Sequence, residues 1–167
     1  MTKKLRAFAI VAMLAFGTIQ FASAQEASAD TKASAGKTLK LLSASGYQFK
    51  QFNPVVWGIE FTGKNMGGFR VIVTAQEKLV VIFATIAKKD QIPLTPPALQ
   101  ALLHCNHSFD RVKVGLDDDG DAFVRLDVSA RVLDDEEFKT NVEQLAAAVD
   151  EAYQQIKPFL KAEAPAK

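Results

Sequence analysis

The stretch RVKVGLDDDGDAFVRLDV, residues 111–128, decides the fold class. Val112, Val114 and Leu116 alternate with Arg111, Lys113 and Gly115. Val124, Leu126 and Val128 then alternate with Arg125, Asp127 and Ser129. A period of two places the apolar side chains of a strand on one face. Between the two runs stands Asp117-Asp118-Asp119-Gly120-Asp121, and Asp-Gly in that setting marks a hairpin turn. A hairpin with one apolar face needs a cover. Downstream, Phe138, Val142, Leu145, Val149, Ala152, Ile156 and Leu160 recur every three or four residues, a wide stripe on a helix from Asp134 to Leu160. Asp134 is placed to cap that helix, with Glu137 completing a capping-box-like pair. Asp135 and Glu136 suit the positive end of its dipole, and Pro158 ends or bends it.

Upstream the pattern continues. Thr38 to Ser45, with Leu39, Leu41 and Leu42, reads as a short helix closed by Gly46. Trp57, Ile59 and Phe61 alternate with Gly58 and Glu60 in a first strand, whose ladder is expected to begin after Pro54. Gly63, Asn65, Gly67 and Gly68 form a loop. Phe69 to Ala75 is a second strand, and Gln76-Glu77-Lys78 turns the chain. Leu79 to Ala87 is a third strand, apolar on both faces: Val80, Ile82 and Ile86 on one, Leu79, Val81 and Phe83 on the other. Such a strand is covered twice or meets a partner. Thr95 and Pro96 start a second helix over Ala98 to Cys105, with Leu99, Leu102 and Leu103 as its stripe and Asn106 as its end.

The expected architecture is therefore α+β: helix, three strands, helix, two strands, long helix. The sheet is five-stranded and mainly antiparallel, with the C-terminal helix packed on one face. Its span is residues 37–160, followed by a flexible tail at 161–167 and preceded by a polar linker at 25–36.

Residues 1–24 have the three parts of a signal peptide. Lys3, Lys4 and Arg6 are a positive start. Ala7 to Phe21 is an apolar run shorter than the ~20 residues a membrane-spanning helix needs. Ala22-Ser23-Ala24 is a small-residue cleavage site, with cleavage expected after Ala24. The mature protein would be periplasmic or secreted and not inserted in a membrane. Losing three basic residues leaves 17 Lys plus Arg against 19 Asp plus Glu, a balance that disfavours nucleic acid. The single cysteine, Cys105, leaves stability to a packed core, since no internal disulfide can form.

The element order resembles that of the YbjN-like family. So do the residues Leu103-x-x-Asn106, Arg111-Val112-Lys113-Val114-x-Leu116-Asp117-x-Asp119-Gly120-Asp121, Arg125-Leu126-Asp127, Leu133-Asp134-x-x-x-Phe138 and Leu145. That family shares the fold of type III secretion chaperones. The resemblance implies a protein without enzymatic activity or cofactor. It also implies a homodimer that holds an extended segment of another protein. The chain departs from those chaperones, which are cytoplasmic and acidic, in carrying an export signal and a near-neutral balance.

Several constellations invite chemistry and fall short of it. His104, Cys105 and His107 are the weak candidates for a metal or small-ligand sensor, the alternative function. Zinc wants four such ligands in a structural site, and the chain has no other histidine or cysteine. Asp117, Asp119 and Asp121 imitate a calcium loop, but Gly120 stands two places early and Val128 occupies the place of the closing glutamate. Gly63, Gly67 and Gly68 precede a strand, not the helix a phosphate cradle needs. Ser43, Ser45, Ser108 and Ser129 lack a nucleophile-elbow neighbourhood, so a hydrolase has no support. The apolar surplus is left. Trp57, Leu79, Val81, Phe83 and Phe123 are the candidate partner-binding residues, expected on the sheet face away from Val80, Ile82, Val124 and Leu126.

Overall fold

A computed structural model describes residues 28–161. The expected signal peptide, the first three residues of the expected linker and the last six of the expected tail lie outside the described residues. Helix α1 spans Ala29–Ser45 and is followed by β1 (Phe49–Asn53), β2 (Val56–Gly63), β3 (Gly67–Ala75) and β4 (Leu79–Ala87). After α2 (Pro96–Ser108) come β5 (Lys113–Leu116), β6 (Ala122–Ser129) and α3 (Asp135–Ile156), which ends in a 3-10 turn at Lys157–Phe159. The strands form one sheet in the order β1-β2-β3-β4-β6-β5, every neighbouring pair antiparallel. No described helix is long and apolar enough to cross a membrane.

Two expectations are corrected. The sheet has six strands, not five, because Phe49–Asn53 pairs with β2. Pro54 does not delay the ladder: it sits with Val55 in the turn between β1 and β2, where its missing N–H costs no sheet hydrogen bond. The Asn53 side chain steadies that turn by accepting from the Val55 N–H at 2.9 Å. Second, α1 begins at Ala29, so most of the expected linker is helical. Its N-cap is Ser28, whose hydroxyl accepts from the Thr31 N–H at 3.1 Å. The buried positions of α1 include Ser34, Ala35 and Thr38 beside Leu41 and Leu42. Small residues let the helix approach closely without an obvious apolar stripe, and the Thr38 hydroxyl donates to the Ser34 carbonyl, so its burial leaves no donor unpaired.

The helices share one face of the sheet. Ile59, Val71, Val73, Val80, Ile82, Val124 and Leu126 point at them and are buried. Opposite them stand Phe138, Val142, Leu145, Val149, Ala152 and Ile156 of α3, each fully buried; the last member of the stripe read from the sequence, Leu160, lies beyond the end of the helix and is half-buried. Asp134 caps α3 as expected, accepting from the Glu137 N–H at 2.8 Å. The Glu137 side chain does not return to the cap. It pairs with Arg111, whose guanidinium also reaches the buried Asn141 amide oxygen at 2.6 Å. Arg111 has φ 63°, the one positive value among the described non-glycine residues. These two bonds hold that unfavourable conformation and tie the α2–β5 connection to α3.

Helix α2 also differs in its buried stripe. Ala98, Leu102 and Cys105 face inward, whereas Leu99 and Leu103 face solvent, Leu103 being 70% exposed. The helix continues past Asn106 to Ser108. The Asn106 amide is used elsewhere: it accepts from the Val114 N–H and donates to the Val114 carbonyl, both at 2.8 Å.

Candidate partner-binding face

Among the described residues, the sheet face away from the helices carries no second layer. Register fixes its membership, since residues paired across antiparallel strands share a face. Ile72 pairs with Phe83 and Thr74 with Val81. Leu79 pairs with Ser129, Val81 with Asp127, Phe83 with Arg125 and Thr85 with Phe123. Lys113 pairs with Arg125 and Gly115 with Phe123. Leu79, Val81, Phe83 and Phe123 therefore lie together on the helix-free face, where the sequence placed them.

Trp57 does not. It pairs with Val73 and is fully buried on the helix side. Alternation shows that Trp57, Ile59 and Phe61 share a face but not which one, because parity alone leaves the direction open. A residue missed by the sequence takes its place. Phe52 of β1, 43% exposed, lies over Gly58 on the helix-free face: a Cβ at Gly58 would come within 2.7 Å of its ring and 2.8 Å of Arg70 Cδ. The Arg70 guanidinium stands 5.3 Å from that ring's centroid and Lys50 Nζ 5.7 Å. Phe123 lies over Gly115 in the same manner, 3.3 Å from where a Cβ would be. At both sides of the sheet a glycine lets an aromatic ring approach the neighbouring strand closely.

Beside Phe123 on this face is a hollow of about 250 Å³, lined by Thr74, Gln76, Val81, Phe83, Thr85, Asp117, Phe123 and Arg125. Its floor is apolar and its rim carries hydroxyls and two charges. Val81 is only 3% exposed, while Leu79, Phe83 and Phe123 are half-buried. The apolar surplus is thus a shallow floor and not a protruding patch. At the β5–β6 side, Asp127 joins Arg125 Nε and Lys113 Nζ, each at 2.7 Å. Burial pushes the Asp127 carboxyl up, but the hydrogen bonds from Lys113 and Arg125 outweigh it and hold the group below the usual carboxylate range.

The other candidates do not assemble. Cys105 points into the core, 1% exposed, and burial together with nearby Glu151 pushes its thiol up. His104 and His107 lie on the outer side of α2 with ring centroids 6.2 Å apart. Among the described residues, no three His, Cys, Asp or Glu side chains are grouped to hold a metal. Two aspartates of the β5–β6 turn, Asp117 and Asp121, are occupied. Asp117 accepts from the N–H groups of Asp119 and Asp121, and Asp121 takes Lys88 Nζ at 2.6 Å.

The family model that matches, YbjN, described as "Putative bacterial sensory transduction regulator", spans residues 40–158, which is α1 through α3. The chain belongs to the YbjN family. No curated protein matches its sequence. Among solved structures it is similar to Escherichia coli YbjN, with 17% identity over 76% of this chain and 95% of that one, TM-score 0.58. A chain of the ExsC–ExsE complex is 14% identical, covering 80% of this chain and 98% of that one, TM-score 0.52. A chain of the heterodimeric ExoU–SpcU complex of the Pseudomonas aeruginosa type III secretion system is 17% identical, covering 73% and 96%, TM-score 0.50. At these identities the likeness is one of fold.

Proposed function

We propose that this YbjN-family protein is a non-enzymatic, chaperone-like binding module that holds an extended apolar segment of another protein on its helix-free sheet face. The observation that carries this is the hollow around Val81, Phe83 and Phe123, an apolar floor over which the described residues place no further layer. The fold supports the reading, since two similar structures come from complexes with a partner protein. The signal-peptide pattern read from residues 1–24 supports a site of action in the periplasm or outside the cell.

Phe83→Glu tests it. Phe83 is half-buried and lies outside the helix-side core, so the variant keeps the fold, verified by circular dichroism. Wild type should recover one or more periplasmic proteins that Phe83→Glu fails to recover. Equal recovery by both proteins removes the hollow as the binding surface.

A further inference from the structure

The pairing of β3 with β4 stops short of both strands. It runs from Ala75 opposite Val80 to Ile72 opposite Phe83. β3 nevertheless reaches back to Gly67 alongside β2, and β4 reaches on to Ala87 alongside β6. The two halves of the sheet therefore part at this end. A cavity of about 620 Å³ lies there, with Gly68 of β3 and Ile86 of β4 among its walls. Tyr153 and Lys157, at the end of α3, and Lys161 beyond it also line the cavity. Among the described residues, the side chains of these three make no hydrogen bond or ion pair. The acceptors beside them are already taken. Gln91 Oε1 accepts from the Lys88 N–H at 2.7 Å, and the Gln91 carbonyl from the Lys161 N–H at 2.8 Å. No acidic side chain lines the cavity. The carboxylate of Asp150 is turned to the β2–β3 hairpin, where Asn65 and Met66 engage its oxygens.

We propose that this cavity is a binding site for an organic carboxylate with an apolar, ring-sized body. The volume lies within the range of small-molecule sites, roughly 300–1,000 Å³. The polar lining is a surplus of donors: two ammonium groups, the Tyr153 hydroxyl and the Gln91 amide nitrogen. Such a set calls for an acceptor-rich anion, and bonds from a charged donor to a carboxylate are the stronger class. The C-terminal end of α3 carries about half a negative charge. That is less than the two ammonium charges supply. Met66, Ile86 and Leu160 give apolar wall for the body of the ligand. The thioether of Met66 and the ring of Tyr153 suit an aromatic one. Gly68 keeps the space open, since a Cβ there would meet no atom within 4 Å.

The purified protein is titrated with 2-naphthoate in a calorimeter and, separately, with the neutral 2-naphthamide. The carboxylate should give saturable heat with one site per chain. The amide, of the same shape but uncharged, should bind at least about tenfold more weakly. Lys157→Gln combined with Lys161→Gln should reduce naphthoate binding to the level of the amide. Both side chains are exposed, so Tm should not fall. Phe83→Glu should bind naphthoate as wild type does, which separates this site from the helix-free sheet face. Absence of saturable heat, the amide binding as tightly as the carboxylate, full binding by the double lysine variant, or its loss in Phe83→Glu each overturns the assignment.

Discussion

Asp150, late in α3, holds Asn65 at the tip of the β2–β3 hairpin. Its Oδ1 accepts from the Asn65 N–H at 2.8 Å and the Met66 N–H at 2.9 Å, and its Oδ2 from Asn65 Nδ2 at 2.9 Å. One carboxylate thus satisfies three donors of a turn and fixes the hairpin onto the helix layer. Gly63 makes the approach possible, since any Cβ there would collide with the Asp150 carboxylate. Charge-assisted bonds of this kind are the stronger class, so Asp150→Ala should cost roughly 1.5–3 kcal/mol in urea denaturation. Gly63→Ala should destabilise as well, by displacing the same carboxylate.

The same site sets a dependence on acid. Burial raises the Asp150 carboxyl, but the hydrogen bonds from Met66 and Asn65 prevail and lower it below its ordinary value of 3.8. A group whose pKa falls on folding contributes stability above its unfolded value and loses it as the pH drops through the folded one. Wild type should therefore lose stability below about pH 4, and Asp150→Asn should lose less over that window. Denaturation midpoints of the two proteins between neutral and acidic pH measure it.

Tyr47 gives the opposite case at high pH. It follows the Gly46 turn that ends α1, packs its ring at a tilt against Phe61 and donates its hydroxyl to Glu143 of α3 at 3.3 Å. Burial first, then the charge of Glu143, pushes its phenol up to about 12. A raised pKa means that its contribution is intact below the unfolded value near 10 and is lost as the pH rises through 12. Absorbance titration should resolve a tyrosine ionising late, and Glu143→Gln should bring that step to lower pH. An identical titration in the variant would show that Glu143 does not govern it.

How legible was all this in the sequence? The β5–β6 hairpin and the α3 stripe were readable because each repeats one period over many residues, from Val112 to Val128 and from Phe138 to Ile156. β1 was hidden because four of its five residues are exposed, so no alternation marks it. The start of α1 was hidden because it packs through Ser34, Ala35 and Thr38, whose small size and not their hydrophobicity suits the contact. For the candidate site, parity correctly grouped Leu79, Val81, Phe83 and Phe123 but could not say which face Trp57 joins. Phe52 escaped because its place on that face follows from the pairing of Lys50 with Gly58 across the β1–β2 hairpin, a strand the sequence pattern did not reveal.

Asn106 yields a prediction about the edge of the sheet. β5 is an outermost strand, and an open edge invites pairing with another chain. The Asn106 amide stands in for a neighbouring strand by bonding both the N–H and the carbonyl of Val114. Asn106→Ala should cost about 1–2 kcal/mol for those bonds. It should also speed aggregation on mild heating, followed by light scattering. A variant with wild-type aggregation kinetics would show that the edge is protected in another way.

The outer face of α2 bears on the oligomeric state. Its stripe was expected to bury Leu99 and Leu103, but the helix buries Ala98, Leu102 and Cys105 instead and leaves those two leucines outside. Exposed leucines one turn apart on a helix make a self-complementary strip, and two copies related by a two-fold axis would cover each other's. If the homodimer expected from the family resemblance forms, this strip is the surface predicted to carry it, rather than β4, whose outward side chains Val81 and Phe83 line the hollow. Light scattering at tens of micromolar should give twice the mass of the mature chain. Leu103→Glu should give the monomer, with no loss of stability, since Leu103 is 70% exposed within one protomer. Phe83→Glu should remain a dimer. A wild-type monomer at that concentration would rule the dimer out, and a dimeric Leu103→Glu would move the interface to another face.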